Sequence, residues 1–252
     1  MSTITPLEIA SAMKKMGWPV ASSLMQRWAD GVSSTMTDAV KLGTIAPTSP
    51  GQLYQGVVTM NWVKRFSRAN VAYNAAIANA LNPAGVKQLR NQLAQAGWKS
   101  GEFALGSKSY DAATLDATCQ TNFVQVGALL DTIDDFYGAM GKASIKVAVV
   151  GRIAQTSAKS HVFNVDALGL YLRDTYDFNG SQPLGVWSKD RCLSKAEMVV
   201  HYTSPIIALT DGFESVSNAD FREWRTKTGR GGDYVIYSDV DWVAPSVTRI
   251  VL

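Results

Sequence analysis

The chain has 252 residues, of which 46% are hydrophobic and 18% are charged, and its formal net charge is +3. This composition is typical of a globular protein that buries a sizeable core, and it excludes wholesale disorder. The small net charge gives no reason to expect a nucleic-acid partner.

The charges are distributed unevenly along the chain. Residues 1–100 carry ten Lys and Arg against three Asp and Glu, a net charge of +7. Residues 101–252 carry fourteen against eighteen, a net charge of −4. The two parts could attract each other or face different partners, and both readings stay open.

The sequence shows no pattern for membrane insertion or a disulfide framework. Cys119 and Cys192 lie far apart, and the most apolar run, Val147 to Val150, is too short to span a bilayer. The first residues, MSTITPLEIA, lack the basic and apolar regions of a secretory signal. We therefore expect no transmembrane segment and synthesis in the cytoplasm, with export without a cleaved signal left open.

Helical signals fill the first part of the chain, residues 1–97. Thr5, Pro6 and Glu8 predict a capped helix start, and Pro19 predicts a second one. The strongest helical pattern predicts one continuous helix with a buried stripe of Trp62, Phe66, Ala69, Tyr73, Ile77 and Ala80. Asn82 and Pro83 begin a fourth helix, which Gly97 closes.

Strand signals dominate residues 118–252. They are the segments around Phe123–Val126, Ser144–Ala154, Leu168–Phe178, Tyr234–Tyr237 and Val247–Leu252. One helix interrupts them near the C-terminus, and we expect Asp220 to cap it, Glu223 to complete a capping box and Gly229 to end it.

This order of elements predicts an α+β fold. A helical part, residues 1–97, should pack on a mostly antiparallel β-sheet in residues 118–252, with one helix near the C-terminus. The connection 98–117 should join both parts into one cooperative unit.

The strand Leu168–Phe178 places apolar residues at even positions and polar ones at most odd positions. Asp174 is the exception, because it falls on the apolar face between Leu172 and Tyr176. A buried carboxylate needs a cation, so we expect Asp174 to have a structural role, buried and paired with Arg222 or Arg225.

The densest cluster of mixed charge lies where this strand should meet the C-terminal helix. Arg222, Arg225 and Arg230 are candidates for binding an anionic ligand, helped by a nest of backbone N–H groups in Gly229–Gly232. Asp177 and Asp233 are the candidate catalytic bases there. In the competing interpretation, the same charges staple the helix to the sheet.

Other residue types give weaker signals. Cys192 and His201 have no signature of a nucleophile and base, and two histidines are too few for a histidine-rich metal site. We therefore predict no metal and no cofactor.

Four segments carry a resemblance to a known family: MGWPVASSLMQRW, VTMNWVKRFSRA, LGLYLRDTYDFNGSQPLGVW and NADFREWRTKTGRGGDYVIYSD. In this order, over nearly the whole chain, they resemble a bacterial family described only as a domain of unknown function. That family is similar to proteins encoded beside type VI secretion genes, which bacteria use in competition with one another. The resemblance implies export without a cleaved signal and transfers no catalytic residue.

Two hypotheses about function follow. In the first, the protein is an effector or toxin delivered by the secretion machine, and whether it is an enzyme stays open. In the second, it is a non-enzymatic binding module, either an immunity protein or a cargo adaptor. Its partner would be a secretion spike, an adaptor, or a cognate immunity or effector protein. A large acid–base constellation in a cleft favours the first hypothesis, and an exposed apolar or single-sign patch favours the second.

Overall fold

A computed structural model describes residues 3–47, 49–128, 131–157, 160–203 and 212–252. Its helices are α1 (Pro6–Lys15), α2 (Pro19–Asp30), α3 (Asp38–Leu42), α4 (Met60–Val63), α5 (Ser67–Asn79), α6 (Pro83–Gln95), α7 (Ala112–Thr118), α8 (Asp135–Met140), α9 (Lys195–Thr203) and α10 (Asn218–Thr228). Its strands are β1 (Leu53–Tyr54), β2 (Phe103–Leu105), β3 (Gln120–Val126), β4 (Ala143–Ser157), β5 (Ser160–Tyr176), β6 (Pro183–Trp187), β7 (Glu214–Ser217), β8 (Tyr234–Tyr237), β9 (Asp241–Val243) and β10 (Arg249–Val251).

Helices and antiparallel strands coexist, which confirms the predicted α+β class. Near the C-terminus the structure has two helices, α9 and α10, where the sequence predicted one. None of the helices in the described ranges is long and apolar enough to cross a membrane.

The chain forms two compact units. Unit 1 comprises residues 1–57, 128–141 and 175–235, and unit 2 comprises residues 58–127, 142–174 and 236–252. Each unit combines residues from the predicted helical part with residues from the predicted β-rich part. Whether residues 1–97 and 118–252 unfold together as one cooperative unit stays a prediction.

Unit 2 is organised around the antiparallel pair of β4 and β5. β2 and β3 pair with the other edge of β4, and β8, β9 and β10 lie along the other edge of β5. α5 and α7 pack against both β3 and β4, and α6 packs against β3. β5 is therefore a central strand with neighbours on both edges.

The predicted alternation of β5 is only half correct. Leu168, Leu170 and Leu172 are buried as expected, but Tyr171 and Arg173 on the opposite face are buried too. Helix α7 lies on the face of Tyr171, where its Asp116 accepts a hydrogen bond from the tyrosine hydroxyl. The polar face predicted to meet solvent is therefore covered by protein.

Unit 1 contains α1, α2, α8, α9, α10 and a two-stranded sheet of β6 and β7. The capping box of Thr5 and Glu8 and the start of α2 at Pro19 confirm the predicted helix starts. The start of α10 differs from the prediction, because the capping box joins Ser217 and Asp220, one turn before the predicted one. The Asp220 carboxylate accepts from both the backbone N–H and the hydroxyl of Ser217.

The predicted continuous helix from Trp62 to Ala80 is wrong. Helix α4 ends at Val63, and Phe66 adopts an extended backbone that caps the start of α5. The N–H groups of Arg65 and Phe66 bond three residues back, to the carbonyls of Trp62 and Val63. These tight turns end α4 and separate the two halves of the apolar stripe.

The close packing at a bulge in the β4–β5 pair gives a first prediction. A Cβ atom added at Gly151 would lie 2.2 Å from the carbonyl oxygen of Asn164, so the backbone would have to shift. We expect Gly151→Ala to lower the free energy of unfolding by about 1–3 kcal/mol, measured by chemical denaturation. In the control Gly51→Ala, the added methyl group meets no atom within 4 Å. That control should leave stability unchanged or raise it by less than about 1 kcal/mol, and equal losses in both variants would contradict the interpretation.

Candidate functional site

The cluster predicted from the C-terminal charges lies within unit 1. The residues predicted for it are Asp177, Arg222, Arg225, Arg230 and Asp233. Arg222 and Arg225 project from α10, and Arg230 and Asp233 follow in the glycine-rich turn after that helix. The structure thus places these charges in one region, and their bonds decide what they do.

Arg225 and Asp233 form a buried ion pair through a guanidinium N–H and the Oδ1 atom. The same Oδ1 atom accepts a hydrogen bond from the indole N–H of Trp28, 3.1 Å away. Asp233 has a fully buried side chain, and the Arg225 side chain is only 9% exposed. This pair fastens the end of α10 to α2 and to the turn.

Burial raises the pKa of the Asp233 carboxyl, and the charge of Asp177 adds to the rise. Arg225 and Trp28 act in the opposite direction by stabilising the charged form, but the desolvation is the larger effect.

The glycine turn provides no free nest of N–H groups. Gly231 donates to the carbonyl of Gly31 at 2.8 Å, and Gly232 donates to the carbonyl of Trp28 at 3.1 Å. Gly229 donates to the carbonyl of Arg225, and the backbone N–H of Arg230 donates to the Thr228 hydroxyl. The four N–H groups that were predicted to hold an anion therefore stabilise the fold.

Gly231 is needed because the turn lies directly on Trp28. Its φ is +100°, and a Cβ atom there would lie 2.8 Å from the indole ring. Trp28 is completely buried, and its ring also packs against Phe178 and Phe221 with ring centroids 4.7 and 5.4 Å away. The turn is thus part of an aromatic core.

The remaining predicted residues also bond within unit 1. Arg222 donates to the carbonyls of Phe178 and Gly180. Asp177 lies 3.9 Å from the Lys41 amine and accepts a hydrogen bond from the side chain of Asn179. These contacts are those of the stapling interpretation.

Arg230 is more exposed than Arg225. Its guanidinium pairs with the Asp30 carboxylate at 2.5 Å and donates to the Ala29 carbonyl at 3.1 Å. The side chain remains 42% exposed, so solvent reaches it despite these two contacts.

The prediction that Asp174 is buried is wrong, because its side chain has intermediate exposure. The carboxylate bound to Arg225 is Asp233, and the groups bound to Arg222 are backbone carbonyls. The buried charge at this point of β5 is the neighbouring Arg173, since Arg173 and not Asp174 faces α7. The structural role of Asp174 stays a prediction.

The sequence reasoning missed a second charged cluster, in unit 2, which we call the Asp116 cluster. It consists of Asp116 on α7, Lys146 on β4, Tyr171 and Arg173 on β5, and Tyr237 on β8. The Asp116 carboxylate lies 2.6 Å from the Lys146 amine and 3.4 Å from the Arg173 guanidinium. It also accepts hydrogen bonds from the hydroxyls of Tyr171 and Tyr237, at 2.9 and 2.8 Å.

The Asp116 cluster shifts the titration of its members. Burial lowers the pKa of the Lys146 amine, although the charge of Asp116 opposes that shift. Burial, together with the negative charge of Asp116, raises the pKa of both tyrosine hydroxyls. Lysines and tyrosines with shifted pKa values are frequent in active sites, but networks that only stabilise a fold produce the same shifts.

A signal for this cluster was present in the sequence. Lys146 and Arg173 each interrupt an apolar strand run, and a buried cation needs a carboxylate. Asp116 itself lies in the short segment AATLDAT, which has no pattern that points to these strands.

Other possible sites are limited. In the described part of the chain, no group of three or more His, Cys, Asp and Glu side chains is placed to hold a metal ion. Unit 2 contains a cavity of about 340 Å³ beside Arg152 and Asp166, whose ion pair at 3.6 Å is exposed. A smaller cavity of about 110 Å³ adjoins Leu168 and Val247.

The buried carboxylate of Asp116 and the more exposed carboxylate of Asp166, both in unit 2, provide a matched test. Asp116→Ala leaves Lys146 and Arg173 buried without their carboxylate, and we expect a loss of about 3–5 kcal/mol in the free energy of unfolding. Asp166→Ala removes only an exposed partner of Arg152 and should cost under about 1 kcal/mol. Denaturant titration of both variants checks this, and similar losses in the two would show that Asp116 is not a buried anchor.

The raised pKa of Asp233 predicts a pH dependence of stability. Its carboxyl holds a proton more tightly in the folded state than in the unfolded chain, so stability falls as the pH rises from the ordinary pKa of 3.8 through the raised one. The stability of the wild type relative to Asp233→Asn should therefore decrease as the pH rises above about 4. Asp38→Asn, which removes an exposed carboxylate, is the control. A relative stability that is constant or increases with pH would refute the raised pKa.

The family model described as "Family of unknown function (DUF6402)" matches residues 5–251. No curated protein and no solved structure was found to match the chain. The match extends over nearly all of the sequence that forms both units. The chain therefore belongs to this family of unknown function.

Proposed function

We propose that this protein is a non-enzymatic binding module that works with a type VI secretion machine, as a cargo adaptor or an immunity protein. The observation that carries the proposal is an excess of positive charge in unit 2, combined with exposed apolar side chains in the same unit. The secretion setting rests on the resemblance to proteins encoded beside type VI secretion genes. The proposed partner is a protein of that machine, such as a spike, or a cognate effector.

The two units carry net charges of opposite sign, which the small net charge of the whole chain conceals. Unit 2 contains 13 Lys and Arg against 7 Asp and Glu, a net charge of +6, whereas unit 1 contains 11 against 14, a net charge of −3. A net charge accelerates association with a partner of the opposite sign and helps to exclude others.

Exposed apolar side chains accompany this charge. They belong to Val71 on α5, Phe123 on β3, Val247 before β10 and Val251 on β10. Single exposed apolar residues are common, but several of them on one surface are typical of surfaces that bind other proteins.

The charged side chains of unit 1 bond to other groups of the fold, which supports a binding role for the protein over a catalytic one. The Asp233 carboxylate is buried against Arg225 and Trp28, and the N–H groups of the glycine turn donate to backbone carbonyls and to the Thr228 hydroxyl. These groups hold α10, α2 and the turn together. This part of the molecule therefore serves as a scaffold in the proposal.

A second candidate function is a delivered effector with enzymatic activity, and the Asp116 cluster favours it. Lys146 has a lowered pKa and binds the same Asp116 carboxylate as two tyrosine hydroxyls, and these are groups that transfer protons in active sites. The Lys146 side chain is 16% exposed, so a small molecule could touch only its tip. Because Asp116 already binds four donors, we rank this function second.

The test is expression of the protein in a bacterial host, with and without the product of the neighbouring gene. A binding module should leave growth unchanged and should co-purify with the neighbouring product as a complex of fixed stoichiometry in size-exclusion chromatography. Growth arrest that the neighbouring product relieves would refute the binding module and favour the effector.

Two lysine variants locate the activity if growth arrest occurs. Lys146→Met should abolish the arrest if the Asp116 cluster is the active site. Lys64→Met is the matched control, since Lys64 lies 2.6 Å from Asp241 in another cluster with a tyrosine, Tyr73. Equal effects of both variants would place the activity elsewhere.

A further inference from the structure

We propose that the outer edge of β10 binds an extended segment of a partner protein in which acidic and apolar residues alternate. The segment would pair with β10 as an additional antiparallel or parallel strand. This inference rests on the proposed binding function and gives it a site and a ligand class.

The backbone of β10 has one edge bonded and one edge turned outward. β10 is antiparallel to β5, with Arg249 opposite Asn164 and Val251 opposite Val162. The neighbouring residues make the ladder bonds, because Thr248 accepts from Val165 and Leu252 donates to His161. In such a ladder, alternate residues face the partner, so Arg249 and Val251 turn their N–H and C=O groups to the other edge.

A contact made by Arg90 supports this direction. Its guanidinium donates to the Val251 carbonyl oxygen at 3.1 Å from helix α6. Within the described ranges, β10 pairs with no strand other than β5. The edge therefore offers the N–H and C=O groups of Arg249 and the N–H group of Val251 to a further strand.

The side chains around the edge select an acidic partner. Arg249 on β10 is exposed, and Lys87 and Arg90 lie three residues apart on the exposed side of α6. Neither Lys87 nor Arg249 forms an ion pair within the described ranges. Carboxylates on one face of an incoming strand could pair with these three cations.

The other face of the same strand would meet apolar groups. Ile250 is buried between Arg249 and Val251, so β10 has an exposed face with one charged and one apolar side chain and a buried, apolar face. An added strand continues both faces, and its residues must therefore alternate between acidic and apolar. The cavity of about 110 Å³ adjoins this segment at Val247 and could take one apolar side chain.

The probe is a fluorescein-labelled hexapeptide, Val-Glu-Val-Glu-Val-Glu, titrated with the full chain and followed by fluorescence anisotropy. We expect binding that weakens as salt is added, and no binding of Val-Lys-Val-Lys-Val-Lys. A Lys87→Glu, Arg249→Glu double variant should weaken the binding of the acidic peptide by at least about tenfold. No binding of the acidic peptide, or equal binding of both peptides, would overturn the proposal.

Backbone pairing is tested separately from charge. Val251→Pro removes the outward N–H and keeps the bonds to β5, so it should weaken binding by about tenfold, whereas Val251→Thr should not. The same point can be tested without changing the protein, with one peptide N-methylated at all valines and another N-methylated at all glutamates. In a paired strand, only one of these two sets of N–H groups faces β10. One of the two methylated peptides should therefore lose binding and the other should keep it. Unchanged binding of both methylated peptides would overturn strand pairing.

Three further outcomes separate this inference from its alternatives. A dimer of the chain that Val251→Pro dissociates, seen by light scattering, would assign the edge to a second copy and overturn the partner segment. If the neighbouring gene product binds equally to the wild type and to Val251→Pro, the inference fails and the proposed function stands. If the chain binds the peptide but forms no complex with that product, the proposed function fails and the edge site stands.

Discussion

The burial of β5 on both faces is the constraint on which unit 2 depends. A central strand usually carries apolar residues on both faces, because its side chains have no solvent to face. β5 instead carries Tyr171 and Arg173 on one face, and β4 adds Lys146 beside them. Asp116 on α7 binds all three of these side chains, and it also accepts a hydrogen bond from Tyr237 on β8. The position of α7 on the sheet is therefore fixed by charge as well as by apolar contact, and a sliding helix would leave two cations buried without a partner.

In unit 1, an aromatic side chain fixes the position of neighbouring elements. The Trp28 ring packs against the turn at Gly231, and its indole N–H donates to Asp233. One residue therefore makes both an apolar and a polar contact with the turn. Arg225 completes the arrangement from α10. The residues that looked most like a ligand site in the sequence are thus the ones that join α2, α10 and the turn. Glycine-rich turns and arginine clusters can indicate an anion site, but the same residues suit a tight backbone crossing over a ring.

The sequence predicted those features that are encoded by neighbouring residues. The cap at Thr5 and Glu8 and the strand Tyr234–Tyr237 depend on local patterns, and the structure confirms both. The candidate site was predicted as a set of residues but not as a set of bonds. Asp116 and Tyr237 are 121 positions apart, and Gly231 meets Gly31 across 200 positions, so no local pattern could pair them. The missed burial of Arg173 has the same origin, because alternation reveals the two faces of a strand but not whether a helix covers the second face.

The division of the chain into units has a consequence for synthesis on the ribosome. The polypeptide passes from one unit to the other five times, at residues 57/58, 127/128, 141/142, 174/175 and 235/236. Neither unit can be completed by an early stretch of nascent chain, since unit 1 needs residues up to 235 and unit 2 needs residues up to 252. β5 leaves the ribosome well before β8, β9 and β10, and the edge of β5 that they cover stays open during that interval. The sheet of unit 2 can therefore be completed only after these late strands have emerged.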